Sequence, residues 1–340
     1  MTRSVGRGTM ALEDGTGVDF AALRADRRAR VLAAMAEGGV DLLLLGRQGN
    51  ARYVAGHRPI WRAVVTAWAP FCALRADGGV HLLHTTWDDG VPEEIPHENL
   101  SGLSWSPRTI VGDIAGIPGL ATASRVATDG LSSGLAMLLG HLAPEAELVD
   151  GESLMRDARA VKLPAEVDCI RTAVALTEGA LTAAALEIRA GVDPGRLKGA
   201  FHEAMGLYGI SHPNAEGRFG SGTPLVDGEL VPLEGALTFA GYEAAAGRTR
   251  VCGGDVAPSA AAWRAAMDEV ITQCRAGGEV PFAEGFDIYG VGLGVETLVA
   301  GEPLREGMVL GVRGELDGYI GTDTFVVSAG TPERLTRLSP

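Results

Sequence analysis

From Asp150 onward the chain is written as helices first and strands afterwards, and no other feature narrows its possible folds so far. The stretch PAEVDCIRTAVALTEGALTAAALEI, opened by Pro164, keeps an apolar stripe for about six turns before Gly191. A second helical stretch runs from Pro194 to Tyr208. Strand-like segments follow over 217–222, 230–239, 241–252, 286–296, 308–316 and 319–328, interrupted by one helical pattern over 259–276. Short links between successive strands favour hairpins, so this half predicts an α+β domain with an antiparallel sheet.

The earlier half reads differently. Asp19 stands as an N-cap before an apolar helical pattern that stops at Gly38-Gly39. A short apolar run, Val40 to Leu45, then reads as a buried strand, and similar runs recur over 68–74 and 80–84. Helix and strand alternate to about Val149, which predicts an α/β domain. The expected organisation is a flexible extension over 1–17, an α/β domain over 18–150 and the α+β domain over 151–336. A length of 340 residues accommodates two domains, and 46% apolar with 21% charged residues describes an ordinary globular chain.

A net charge of −14, with only two lysines, argues against nucleic acid or an anionic membrane as partner, because phosphate binding needs clustered cations. Residues 1–17 hold Glu13 and Asp14 and no apolar signal core, and no run reaches the ~18 apolar residues of a membrane span, so a cytoplasmic protein is expected. The four cysteines, Cys72, Cys169, Cys252 and Cys274, form no CxxC pair and predict reduced, buried thiols, with Cys252 the candidate for any thiol chemistry. Gly290-Val291-Gly292 is not a dinucleotide fingerprint, since no helix follows and the third glycine is misplaced.

Five local phrases carry a resemblance. Asn50-Ala51-Arg52-Tyr53-Val54-Ala55-Gly56 resembles N-x-R-Y-x-x-G, and Arg159 to Glu166 resembles R-x-x-K-x-x-x-E. Gly241-Tyr242 with Arg248-Thr249 resembles a G-Y-x-x-D-x-x-R-T hairpin. Gly290 to Leu293 resembles H-G-x-G-L without its histidine, and Glu306-Gly307-Met308-Val309 resembles E-x-G-M-V. In this order they resemble the creatinase/aminopeptidase P/prolidase family. The resemblance implies a C-terminal pita-bread fold, an antiparallel sheet flanked by helices with pseudo-twofold symmetry, after a smaller creatinase-type α/β domain.

Peptidases of that family hold two divalent metals with Asp, Asp, His, Glu and Glu. Carried over one at a time, these positions fall on Glu234, Ala245, Tyr289, Arg313 and Thr322. The resemblance therefore implies a member that has lost most of its metal ligands, with no metal or other cofactor. A catalytic metal lowers the pKa of its water from 15.7 to about 7, roughly 12 kcal/mol of activation that Ala, Arg and Thr cannot supply. Arg313 would instead repel a cation and attract a carboxylate or oxyanion.

The family has members that work without metal on small nitrogenous substrates, creatinase and ectoine hydrolase among them. The loop histidine of creatinase has no counterpart here, so that activity is not carried over. The implied catalytic set is Glu234, Tyr289, Arg313, His212 and Glu296. His212 stands in Ser211-His212-Pro213 as a base candidate. Glu296 is expected at the end of one continuous strand from Phe286, where alternation turns it from the face of Tyr289. Tyr242, Arg248, Glu315 and Asp323 are expected to bind substrate. Family dimers bring the N-terminal domain of one subunit over the site of the other, which would add Arg58, Trp61 and Arg62 as a clamp for a substrate carboxylate. The expected function is metal-independent C–N bond hydrolysis, or a related elimination or cyclisation, on a small carboxylate-bearing, nitrogen-containing molecule of specialised metabolism. The alternative is a non-catalytic pseudo-peptidase that serves as a binding or assembly module, with an active Xaa-Pro metallopeptidase ranked last.

Overall fold

The structure, a computed structural model, describes residues 17–56, 70–85, 91–130, 132–210, 217–254, 256–294 and 296–339. It divides into two compact units between Arg159 and Ala160, later than the change of pattern at Asp150. Of the expected extension over 1–17, only Gly17 is among the described residues, and Arg58, Trp61, Arg62 and His212 lie outside them.

In the first unit, Asp19 caps helix α1 (Phe20–Glu37) by accepting a hydrogen bond from the Ala22 amide. Strands β1 (Leu42–Leu45), β2 (Cys72–Arg75), β3 (Val80–Thr85), β4 (Leu100–Gly102), β5 (Arg125–Thr128) and β6 (Glu147–Asp150) form a mixed sheet of order β4-β3-β2-β1-β5-β6. Helices α2 (Gln48–Ala55), α3 (Pro107–Ala115), α4 (Ser133–Leu142) and α5 (Gly151–Ala160) complete the unit. The Asn50 phrase is a structural joint here. Asn50 is buried and takes a bond from Arg159, and the Tyr53 hydroxyl donates to the Ala158 carbonyl at 3.0 Å, so α2 and α5 are tied together.

The second unit begins with α6 (Pro164–Ala185) and α7 (Pro194–Leu207). Strands β7 (Leu230–Phe239), β8 (Tyr242–Val251), β9 (Phe286–Gly290), β10 (Val309–Leu316) and β11 (Tyr319–Val326) then form an antiparallel sheet of order β7-β8-β11-β10-β9, and β12 (Glu333–Arg334) pairs with β11. Helix α8 (Ala260–Gln273) lies between β8 and β9 in the chain. Segment 217–222 forms no strand; only Phe219 makes a bridge, to Leu233.

The sheet consists of two hairpins of the same kind. Phe239 pairs with Tyr242 around Ala240-Gly241, and Leu316 pairs with Tyr319 around Asp317-Gly318. Both residues of each turn have positive φ, which is the two-residue turn whose twist matches that of the strands. One hairpin is backed by α6 and α7, where Val231, Leu233, Leu237 and Ala246 pack with Leu181 and Phe201. The other is backed by α8, where Leu310, Val312, Tyr319 and Phe325 pack around Trp263 and Met267. Because side chains alternate along a strand, the residues between these face away from the helices. That second face carries the candidate site.

Candidate active site on the open face of the sheet

One row of residues crosses five strands of this face. Glu234 on β7 is opposite Gly247 on β8, Gly247 is opposite Thr322 on β11, Thr322 is opposite Arg313 on β10, and Arg313 is opposite Asp287 on β9. Directly opposed residues share a face. Gly247 leaves a gap in the row, and Glu234 reaches through it: its Oε1 accepts from Thr322 Oγ1 at 2.8 Å, and its Oε2 accepts from Arg313 Nη2 and Nε at 3.2 and 3.3 Å. The Arg313 side chain is 35% exposed against 13% for Glu234. Its Nη1 has no partner among the described residues, so one edge of the guanidinium is free to meet a ligand.

The adjacent row holds Ala236 opposite Ala245, and Thr324 opposite Gly311, which is opposite Tyr289. Thr324 Oγ1 donates to the Ala245 carbonyl at 3.0 Å and so links the two pairs. The Tyr289 ring lies on Gly311, where a Cβ would stand 2.4 Å from Cζ of the ring. The five positions carried over from the family therefore occupy two neighbouring rows of one face. Burial pushes the Tyr289 phenol up, and the charges of Glu243 and Glu234 add to this against the opposing effect of Arg313. Tyr289 thus keeps its proton at neutral pH and is a hydrogen-bond donor.

The residues of these rows do not fit a metal pair. Ala245 offers no donor atom, Arg313 brings a positive charge, and the Glu234 carboxylate is already engaged by it. Among the described residues no group of three His, Cys, Asp or Glu is placed to hold an ion.

Other expected site residues lie elsewhere. Tyr242, Arg248 and Asp323 have the opposite alternation and sit on the helix-covered face. The Tyr242 hydroxyl donates to buried Glu166 at 2.7 Å, which fastens the start of α6 to β8. Arg248 pairs with Asp323 at 2.6 Å, spends its remaining donors on the carbonyls of Gly247, Thr322 and Leu338, and stands over the Trp263 ring at 5.2 Å. Asp323 also accepts from Thr336 and meets Arg264 and Arg334. These are framework positions. Glu315, two residues beyond Arg313, shares its face and is exposed.

The continuous strand expected from Phe286 to Glu296 is corrected. β9 ends at Gly290, the chain turns through 292–294, and Glu296 comes back to bridge Gly290. Two glycines allow this return, since a Cβ on Gly292 would lie 2.1 Å from the Glu296 carboxylate. There Glu296 makes an ion pair with Lys162 at 3.3 Å, with side chains only 8% and 2% exposed.

One group on the face was missed from sequence. Glu243 precedes Ala245 and Gly247 by two and four places on β8, so the period-two rule alone puts it on the face of Glu234. Its carboxyl is pushed above the ordinary value of 4.5 by burial and by the charge of Glu296. The cysteines carry no comparable signal: all four are buried free thiols, and burial raises Cys274 to about 11.

No protein-family model matches the chain, and no curated protein matches it by sequence. Solved structures do match. Prolidase from Pyrococcus horikoshii OT3 is 18% identical with a TM-score of 0.70, covering 92% of this chain and 98% of its own. X-Pro aminopeptidase from Thermotoga maritima MSB8 is 15% identical with a TM-score of 0.74 over 92% and 98%, and an Asp271Ala aminopeptidase P of Escherichia coli is 16% identical with a TM-score of 0.72 over 93% and 96%. Agreement over both units at such identities is agreement of architecture. The chain has the two-part pita-bread fold of the prolidases and aminopeptidase P.

Proposed function

We propose that the protein is a metal-independent member of the creatinase/aminopeptidase P/prolidase family that acts on a small, carboxylate-bearing, nitrogen-containing molecule. The observation that carries this reading is the Arg313–Glu234 pair: a guanidinium held by the one acidic side chain left among the five positions, with Nη1 unpartnered among the described residues. In this reading Arg313 binds the substrate carboxylate, Tyr289 donates a hydrogen bond to it or to a developing oxyanion, and Glu234 with His212 supplies acid–base groups for C–N cleavage, elimination or cyclisation. Arg58, Trp61 and Arg62 would reach the site from the second subunit of a cytoplasmic homodimer. Among the described residues no helix is long and apolar enough to cross a membrane.

The test combines metal analysis of purified protein with calorimetric titration of N-acetylglycine, a small acid with a C–N bond. The expected result is no stoichiometric metal and binding that Arg313→Ala abolishes. Two bound ions per chain would overturn the reading.

The same pair favours a second reading. Both oxygens of Glu234 are held, by Thr322 and Arg313, which suits a fixed charge better than a proton carrier. A non-catalytic binding or assembly module would keep such a pair. It is distinguished by Glu234→Gln, Tyr289→Phe and Arg313→Ala, which would then leave the cellular role intact while surface changes abolish it.

A further inference from the structure

We propose that Glu243 is the carboxylic-acid proton donor of this site, with Glu296, clamped by Lys162, as its positioning residue. The inference rests on the reading of the site as one for small carboxylates and adds a group that the family positions do not contain. Three features carry it. Alternation along β8 places Glu243 on the face of Glu234 and Arg313. The Glu243 amide donates to the Gly292 carbonyl at 3.1 Å, which brings the start of β8 against the glycine turn after β9. The Glu296 carboxylate lies on that same Gly292 and is turned to Lys162, nearly inaccessible, whereas Glu243 remains half-buried.

The charge of Glu296 bears on Glu243, the charge of Glu243 in turn bears on Tyr289 across the face, and Lys162 pairs with Glu296. Burial and the charge of Glu296 therefore favour the protonated carboxyl, which donates where a carboxylate could only accept. The face then presents two donors, Glu243 and Tyr289, beside one cation, Arg313, an arrangement suited to an anionic ligand with a nitrogen to be protonated. In hydrolysis, water adds to the carbon and loses a proton to the base of the site. Glu243 gives its proton to the departing nitrogen and becomes a carboxylate, and the proton held by the base returns to it through solvent.

The experiment is an infrared titration of full-length protein carrying isotope-labelled glutamate. A protonated carboxyl band is expected to persist above the ordinary carboxylate range, to vanish in Glu243→Gln and to titrate at lower pH in Glu296→Gln. Adding N-acetylglycine is expected to shift that band in the wild type and not in Arg313→Ala. A band that survives Glu243→Gln, or that N-acetylglycine leaves in place although calorimetry shows it bound through Arg313, overturns the role of Glu243 and leaves the carboxylate site standing. Failure of N-acetylglycine and of other small acids to bind the wild type overturns both.

Discussion

Gly247 and Glu234 share one space: a Cβ on Gly247 would stand 2.7 Å from Cγ of Glu234. The missing side chain on β8 is what lets a carboxylate from β7 meet a guanidinium three strands further on. Gly247→Ala must displace Glu234, so it is expected to cost about 1–3 kcal/mol by overpacking and to weaken N-acetylglycine binding. Urea unfolding and calorimetry read the two effects. An unchanged affinity would show that the reach of Glu234 does not matter to the site.

Arg313→Ala is expected to behave in the opposite proportion. The pair is partly exposed, so its contribution to stability is about 1 kcal/mol or less. The loss in carboxylate binding should be complete at accessible concentrations. A variant that unfolds readily but still binds would place the anion elsewhere.

Lys162→Met removes the ion-pair partner of the buried Glu296 carboxylate and is expected to cost about 3–5 kcal/mol. The double variant with Glu296→Gln should recover most of it, because the pair is removed together. Chemical denaturation of the three variants checks this by a double-mutant cycle.

The raised carboxyl of Glu243 has a consequence for stability against pH. Below the ordinary value of 4.5 both folded and unfolded states carry its proton, so the group is neutral to stability there. As pH rises between 4.5 and the higher folded value, the unfolded state releases the proton first and stability falls. Glu243→Gln should therefore raise the melting temperature at pH 7 and 8, with the advantage shrinking as pH is lowered toward 4.5. An advantage that stays constant over this range would mean that Glu243 is not held protonated.

The Ala240 turn gives a prediction on the backbone alone. Ala240 sits at φ +46°, a conformation that glycine adopts without its Cβ penalty. Ala240→Gly is expected to stabilise the protein by up to about 1 kcal/mol, with no effect on ligand binding.

Much of this architecture is legible in the sequence, and the limits have physical causes. Leu230–Phe239 and the strands beside it fall on the strand-like segments of the sequence, and the five family positions can be counted from Gly241-Tyr242 and Met308-Val309; those residues do fall in two rows of one face. Tyr242, Arg248 and Asp323 could not be sorted the same way, because a phrase shared with a family does not say whether its residues meet substrate or hold the sheet to its helices. The partners that show this, Glu166, Trp263 and the Leu338 carbonyl, are far away in the chain. Glu296 was misplaced because glycines end β9 early, and a turn cancels the parity of everything after it. Glu243 is legible from parity alone, two and four places before Ala245 and Gly247 on β8.

The two matched hairpins also bear on how the protein comes together. Each closes on its own tight turn, an event of about 1–10 μs, whereas Glu234 and Arg313 belong to different hairpins and meet only across the seam of β8 and β11. Their contact should therefore be absent while the halves are separate and appear when they dock, which would make it a late reporter in refolding kinetics.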